Sequence, residues 1–199
     1  MLSVTDYAAI RGASLSLNDL FKEHITDDPD ATLNGIPVDL RSPRELEIVV
    51  MTNALSVWLY RVVLQPDLVN QPGRRISPSE TQRRSTQLQL HYLITPMHPN
   101  PLTQHTLMGR AIQVVRDHAQ LGGSSLRGAL AGTATTMKLS LEMSGTAEQN
   151  TLWWSLQSQH RAAVSLIVEG VGIDSHQAPA AGPPALSRHS GYAQIVGVT

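Results

Sequence analysis

Residues 88–96, Leu88-Gln89-Leu90-His91-Tyr92-Leu93-Ile94-Thr95-Pro96, decide the fold class. In an extended chain Leu88, Leu90, Tyr92 and Ile94 point one way, and Gln89, His91, Leu93 and Thr95 the other. That alternation has the two-residue period of a strand. Its tyrosine, isoleucine and threonine suit a pleated, half-buried surface. Pro96 is expected to end it, because proline has no N–H to give to a sheet ladder. The segment reads as a central strand, with other strands beside it and helices over its apolar face.

The nearest strong partner lies upstream. Residues 55–64 read as a strand with Leu55, Val57, Leu59, Arg61 and Val63 on one face and Ser56, Trp58, Tyr60, Val62 and Leu64 on the other. Both sets are apolar enough for each face to be covered, by helices or by a partner subunit. Residues 65–87, between the two strands, carry Pro66, Gly73 and four arginines with almost no apolar periodicity, so they read as the long loop of a β-hairpin. Compact domains rarely keep structureless loops above ~12–15 residues unless the loop has a job or is disordered. Two readings fit: a solvated loop, or a basic arm of Arg74, Arg75, Arg83 and Arg84 that docks on an acidic partner surface.

Downstream, Pro99-Asn100-Pro101 is a rigid connector into a helix over 102–119. Leu102, His105, Leu107, Met108, Ile112, Val115 and His118 trace its apolar side, and Gln104, Arg110, Gln113, Arg116 and Asp117 its wet side. Gly122-Gly123 marks a helix stop, and 124–136 a loop. Met137, Leu139, Leu141 and Met143 alternate as a strand. Thr146 or Ser144 caps a short helix holding Leu152, Trp153, Trp154 and Leu156. Residues 162–173 form the last strand.

At the other end, Tyr7, Ile10, Leu15, Leu17, Leu20, Phe21 and Ile25 recur at helical spacing, with a cap at Ser3 or Thr5 and a bend at Gly12 and Ser14. Asn34-Gly35 signals a tight turn, Ile36, Val38 and Leu40 a short strand, and Ser42-Pro43-Arg44-Glu45 a turn. The elements describe an α/β (α+β) domain, a mixed, mostly antiparallel sheet flanked by helices, with a C-terminal extension. The domain is placed at 1–175. Residues 176–199 open with a Pro/Ala/Gly-rich linker and close on a β-prone stretch containing Tyr192, Ile195, Val196 and Val198. Such an end is either a frayed tail or a strand added to an exposed sheet edge.

Composition narrows the function. A chain of 199 residues can bury a full core without staples. It has no cysteine, which excludes disulfides and thiolate metal sites and makes an intracellular home the default. Fifteen basic against sixteen acidic residues leave a net charge of -1, so bulk charge does not favour nucleic acid. The first residues lack the basic start and apolar run of a signal peptide, and no stretch approaches the ~20 apolar residues that span a bilayer. The histidines form no HExxH and no ligand-spaced pair. There is no GxSxG elbow and no phosphate loop. Trp153-Trp154 reads as a core plug rather than a ligand platform. On residue chemistry the chain is a non-catalytic domain with no cofactor and no metal.

Four blocks, taken together and in order, resemble the cap, or tail-terminator, proteins of extracellular contractile injection systems, which are phage-tail-like particles. They are Leu55-Ser56-Val57-Trp58-Leu59-Tyr60-Arg61 with Pro66 and Asn70; Leu88 to Thr95; His105-Thr106-Leu107-Met108-Gly109-Arg110-Ala111-Ile112-Gln113 with Asp117-His118; and Leu152-Trp153-Trp154-Ser155-Leu156 with the strand through Ile173-Asp174-Ser175. The resemblance spans Val4 to Ser175. It implies a tail-terminator-like domain that forms a homohexameric ring at the distal end of the inner tube and contractile sheath and stops their polymerisation. It implies tube and sheath proteins as partners, no enzymatic activity, no nucleic acid and no membrane insertion. Assembly in the cytoplasm follows, with the particle then membrane-associated or released. Two other classes compete. A ligand- or peptide-binding module at Trp153-Trp154 predicts a monomer with one concave site. An enzyme built on His91 or His105 predicts a carboxylate or nucleophile beside that ring.

Overall fold

The structure, a computed structural model, describes residues 6–65, 74–77, 80–82, 84–142, 145–178 and 180–181. In chain order its elements are α1 (Ala9–Phe21), β1 (Val38–Asp39), α2 (Pro43–Ile48), β2 (Ala54–Leu64), β3 (Arg74–Ser77), β4 (Glu80–Gln82), β5 (Thr86–Met97), α3 (Pro101–Asp117), β6 (Gln120–Gly122), β7 (Thr136–Glu142), α4 (Thr146–Leu156), β8 (Val164–Ile173) and β9 (Ala180–Ala181).

The expected mixed, mostly antiparallel sheet is present. Six strands run in the order β1-β2-β5-β8-β7-β6, and among the described pairings of this sheet only β1–β2 is parallel. β5 lies inside the sheet, as its alternation predicts. It does not stop at Pro96, which pairs with Leu55, and the strand runs on to Met97. The pairing with β8 ends at Ile94, so beyond that point β5 has a ladder on one side only and a proline is tolerated.

The inner face carries the core. Leu55, Val57, Leu88, Leu90, Tyr92, Ile94, Leu166 and Val168 are buried against Ala13, Leu17 and Phe21 of α1 and Leu107, Ala111 and Val115 of α3. α3 buries a narrower stripe than its sequence suggests: Leu102 is 73% exposed, and His105 and Ile112 also face water. α1 runs on without a break through Gly12. A Cβ there would stand 2.9 Å from the Arg127 carbonyl oxygen, so the glycine permits a close approach of the 3₁₀ turn at 128–130. Ser16 accepts a hydrogen bond from the Arg127 N–H at 2.9 Å, and Arg127 pairs with Asp19 at 2.7 Å. The helix continues as a π turn over Lys22–Thr26. Its end is tied to α3 by Arg110, which meets Asp28 at 2.7 Å and donates to the His24 carbonyl at 3.0 Å.

Several local expectations need correction. Ser42–Glu45 is no turn but the start of α2. Ser42 accepts from the Glu45 N–H at 3.2 Å, while the Glu45 carboxylate accepts from the Ser42 N–H at 2.8 Å. This is a capping box, and Pro43 fits the first helical position. α3 stops at Asp117, and Gln120–Gly122, which takes in the first glycine of the Gly-Gly pair, is the edge strand β6. α4 is preceded by Gly145, with no side-chain cap from Thr146; Ser144 lies outside the described residues, as do Ser3 and Thr5. The segment 65–87 is not structureless: β3 and β4 form a second hairpin inside it, and β9 pairs with β4 to give a three-stranded sheet. Finally, a register shift at Tyr60 moves Arg61 opposite His91 and Val62 opposite Leu90. Beyond it Arg61 and Val63 lie on the outer face, the reverse of simple alternation.

Candidate functional site

The basic arm is only partly within view. Arg74 and Arg75 sit on β3, in register with Gln82 and Thr81, and Arg84 is exposed just before β5. Arg83 lies outside the described residues, and so do Tyr192, Ile195, Val196 and Val198. What the structure brings together is therefore Arg74, Arg75 and Arg84 around one hairpin, with the 180–181 pair of the C-terminal extension on its other side.

The outer face of the main sheet carries a polar network that the sequence does not reveal. His91 is 4% exposed. Its Nδ1 lies 3.3 Å from Glu142 Oε2 and its Nε2 3.2 Å from Gln89 Oε1. Gln89 in turn donates from Nε2 to Glu169 at 3.0 Å, which fixes its amide oxygen towards the histidine. The Tyr60 ring meets His91 edge-on at 6.0 Å, and its hydroxyl is 3.5 Å from Ser165 Oγ. Burial pushes the Tyr60 hydroxyl pKa up, against a smaller opposing effect of Ser165. Period-two alternation places Gln89 and His91 on this face, but their partners come from β7 and β8, more than fifty residues away, and no local pattern announces them.

A cleft of ~320 Å³ opens between this face and α4, lined by Tyr60, Arg61, Glu148, Leu152, Ser155 and Ser165 among others. Trp153 and Trp154 do not line it. Trp153 is 3% exposed and meets the His160 ring at 5.7 Å, tilted by 48°, so the core-plug reading holds for this ring. Trp154 is 87% exposed, so the reading fails for its neighbour. On a helix, adjacent residues are about 100° apart, so the two rings cannot share one environment. The carboxylate required beside a catalytic histidine exists at His91, as Glu142. Yet both ring nitrogens already face acceptor oxygens in a buried site. His105 is exposed on α3. Among the described residues no three His, Cys, Asp or Glu side chains are grouped to hold a metal ion.

A second exposed apolar feature lies at the end of α2. Ile48, Val49 and Val50 are 64%, 54% and 76% exposed. Val50 has φ +57°, a left-handed conformation that a β-branched residue rarely adopts. The Val50 N–H donates to the Glu47 carbonyl at 3.1 Å and the Met51 N–H to the Leu46 carbonyl at 2.9 Å. These are the two bonds of a Schellman motif, with valine where glycine is usual. Glu47 anchors this end to the loop after α4, accepting from Ser158 at 2.9 Å and from Arg161 at 3.2 Å.

The fold has known counterparts. It is similar to the PVC sheath/tube terminator of an extracellular contractile injection system in its extended state, with a TM-score of 0.62 and 14% identity over 100% of this chain and 67% of that one. It is also similar to the tube-terminating cap of the anti-feeding prophage, with a TM-score of 0.58 and 15% identity over 90% of this chain and 60% of that one. This chain thus spans three fifths to two thirds of those proteins' lengths. No curated protein sequence matches it. The model of one family, the Pvc16 N-terminal domain, matches residues 13–187. The tail-terminator-like fold that the four blocks imply is the fold observed, and the chain belongs to the Pvc16 N-terminal domain family.

Proposed function

We propose that this chain is a structural terminator subunit of a contractile injection system. It caps the distal end of the inner tube and contractile sheath as a homohexameric ring and stops their polymerisation. The observation that carries this reading is the joint match of family and fold over nearly the whole described chain, to proteins named for terminating sheath and tube. The cap role is non-enzymatic, and the occupied, buried ring of His91 supports that. Residues 1–175 would be the terminator-like domain and 176–199 its linker and tail. Its partners are copies of itself, tube and sheath, without nucleic acid, cofactor or membrane insertion. It would assemble in the cytoplasm within the particle. Among the described residues no helix is long and apolar enough to cross a membrane.

Heterologous contacts that close on themselves are the symmetry-permitted way to build such a ring. The test is co-sedimentation with purified tube and sheath ends, with a reconstruction of the terminal layer. Six copies in that layer are expected. A terminal layer lacking this chain, or holding it without six-fold symmetry, overturns the reading. The cleft beneath α4 favours one alternative, a peptide-binding module, which predicts a monomer that ignores tube and sheath ends altogether.

A further inference from the structure

The β1 side of β2 is almost bare. β1 covers it only through Val38↔Leu55 and Asp39↔Ser56, and among the described residues no strand pairs with Val57–Leu64 on that side. An eight-residue edge with no strand beside it among the described residues is a template for strand addition. The edge is also apolar. Trp58, Leu59, Tyr60 and Val63 are half-buried, while Val62 and Leu64 are 46% and 52% exposed. Natural edges are blunted by bulges and charges. Here the shift at Tyr60 and the charge of Arg61 blunt the middle and leave Val62 and Leu64 uncovered.

The occupant is argued from where the C-terminal segment starts. Ala180 and Ala181 pair with Thr81 and Glu80 on β4. In the chain β3 and β4 lie between β2 and β5, so the small sheet is connected through the Leu64 end of β2, where the Gln65 N–H donates to the Gln87 carbonyl at 3.1 Å. Residues 182–199 lie outside the described residues, but their sequence supplies a ten-residue tether, 182–191, then the β-prone run Tyr192–Thr199. Ten extended residues reach roughly 33 Å, and an eight-residue edge is about 26 Å long, so the run can reach its own subunit's edge. A tether this short gives an effective concentration on the order of millimolar, which outcompetes other chains at micromolar protein. We propose that residues 192–199 add as a strand to the Val57–Leu64 edge of their own subunit and close it in the free protein. Main-chain hydrogen bonds supply the affinity, and Tyr192, Ile195, Val196 and Val198 cover the bare apolar positions. The proposal stands whether or not the subunit forms a ring.

The chain has no cysteine, so introduced thiols report cleanly. In the full chain, Val62→Cys is combined in turn with Ile195→Cys, Val196→Cys and Val198→Cys and oxidised at micromolar concentration. Strand addition brings at least one pair within the ~7 Å Cα separation a disulfide needs. It yields a monomeric, internally linked product. Leu102→Cys on α3 replaces Val62→Cys as the control and should link far more slowly. Links formed only between chains, or links equally fast to the control site, overturn the proposal. In case a cysteine variant fails to fold, amide exchange in the otherwise native full chain carrying Ile195→Pro and Val196→Asp gives a second reading. Val57–Leu64 amides should exchange about tenfold faster, with β5 unchanged. Unchanged exchange at Val57–Leu64 also overturns it.

Discussion

The Tyr92 hydroxyl on β5 lies 2.9 Å from the Ser14 hydroxyl on α1. This contact joins the middle of the sheet to the helix over it, and Ser14 is at once bonded to the Ile10 carbonyl at 3.2 Å. Burial pushes the Tyr92 pKa up to about 12, against a smaller lowering by Ser14. The neutral phenol is thus favoured in the fold, and its contribution is complete below the unfolded value near 10. It is lost as pH rises towards about 12, a loss on the order of 2 kcal/mol. Denaturant titrations between those limits should show stability falling in the native chain and falling less in Tyr92→Phe. Equal slopes in the two proteins would mean that another group governs alkaline unfolding.

Val50 occupies the left-handed position of the α2 Schellman motif and is 76% exposed. It stores strain of ~1–3 kcal/mol and buries little in return. Val50→Gly relieves that strain, less the ~0.5–1 kcal/mol that a flexible glycine costs. The net expectation is a gain near 1 kcal/mol, or a Tm higher by ~2–4 °C. A lower Tm would mean that the valine packs against something in the free subunit.

The tryptophan pair separates burial from sequence. Trp153→Ala removes a ring that is 3% exposed, and such truncations cost ~3–5 kcal/mol. Trp154→Ala removes one that is 87% exposed and should move the urea midpoint hardly at all. Comparable losses from both variants would contradict the placement of α4.

Much of this fold was legible because the inner face of the sheet obeys simple alternation. Leu88, Leu90, Tyr92 and Ile94 are buried as their period predicts, and so are Leu107 and Val115 on α3. The failures have separate causes. Simple alternation puts Arg61 and Val63 on the wrong face because a bulge adds a residue that no pattern marks. Ser42-Pro43-Arg44-Glu45 carries both turn and capping-box chemistry, and proline at the first helical position favours the helix. β6 is a three-residue edge strand, too short to show a period. Nothing in the sequence marks Val50, because left-handed positions ordinarily fall on glycine and asparagine. The polar network around His91 depends on residues brought together only by the β5–β8–β7 pairing. The arginines could be recognised as a surface feature, but their meaning depends on a partner's surface, which one sequence does not contain.

Gly170 and Gly109 should respond oppositely to alanine. Gly170 has φ +83° at the β8 irregularity, and a Cβ there would meet the Thr136 carbonyl oxygen at 2.2 Å. Steric overlap and backbone strain act together, so Gly170→Ala should cost at least ~2–3 kcal/mol. Gly109 sits within α3 with nothing within 4 Å of the added methyl. Gly109→Ala should therefore stabilise by ~0.5–1 kcal/mol through helix propensity. If Gly170→Ala leaves the urea midpoint unmoved, the close β7–β8 approach is wrong.

The basic hairpin is the surface on which function can be separated from folding. Arg74 and Arg75 lie on β3, a strand of the small sheet and not of the main one, and Arg84 is exposed beyond β4. Arg84 makes an interaction of its own, and exposed contacts of this kind contribute only ~0–1 kcal/mol each. Replacing Arg74, Arg75, Arg83 and Arg84 together by serine should therefore change the Tm by a few degrees at most. Docking is another matter if, as we propose, the arm meets an acidic partner surface: four charges then act together over a Debye length of about 10 Å at 0.1 M salt. The quadruple variant should bind sheath or tube ends several-fold more weakly at low ionic strength. That difference should vanish towards ~1 M salt, where screening shortens to about 3 Å. Native-like binding at low salt would show that the hairpin is merely solvated. A collapsed variant would show instead that the arginines are structural, and either result removes the hairpin from the docking surface.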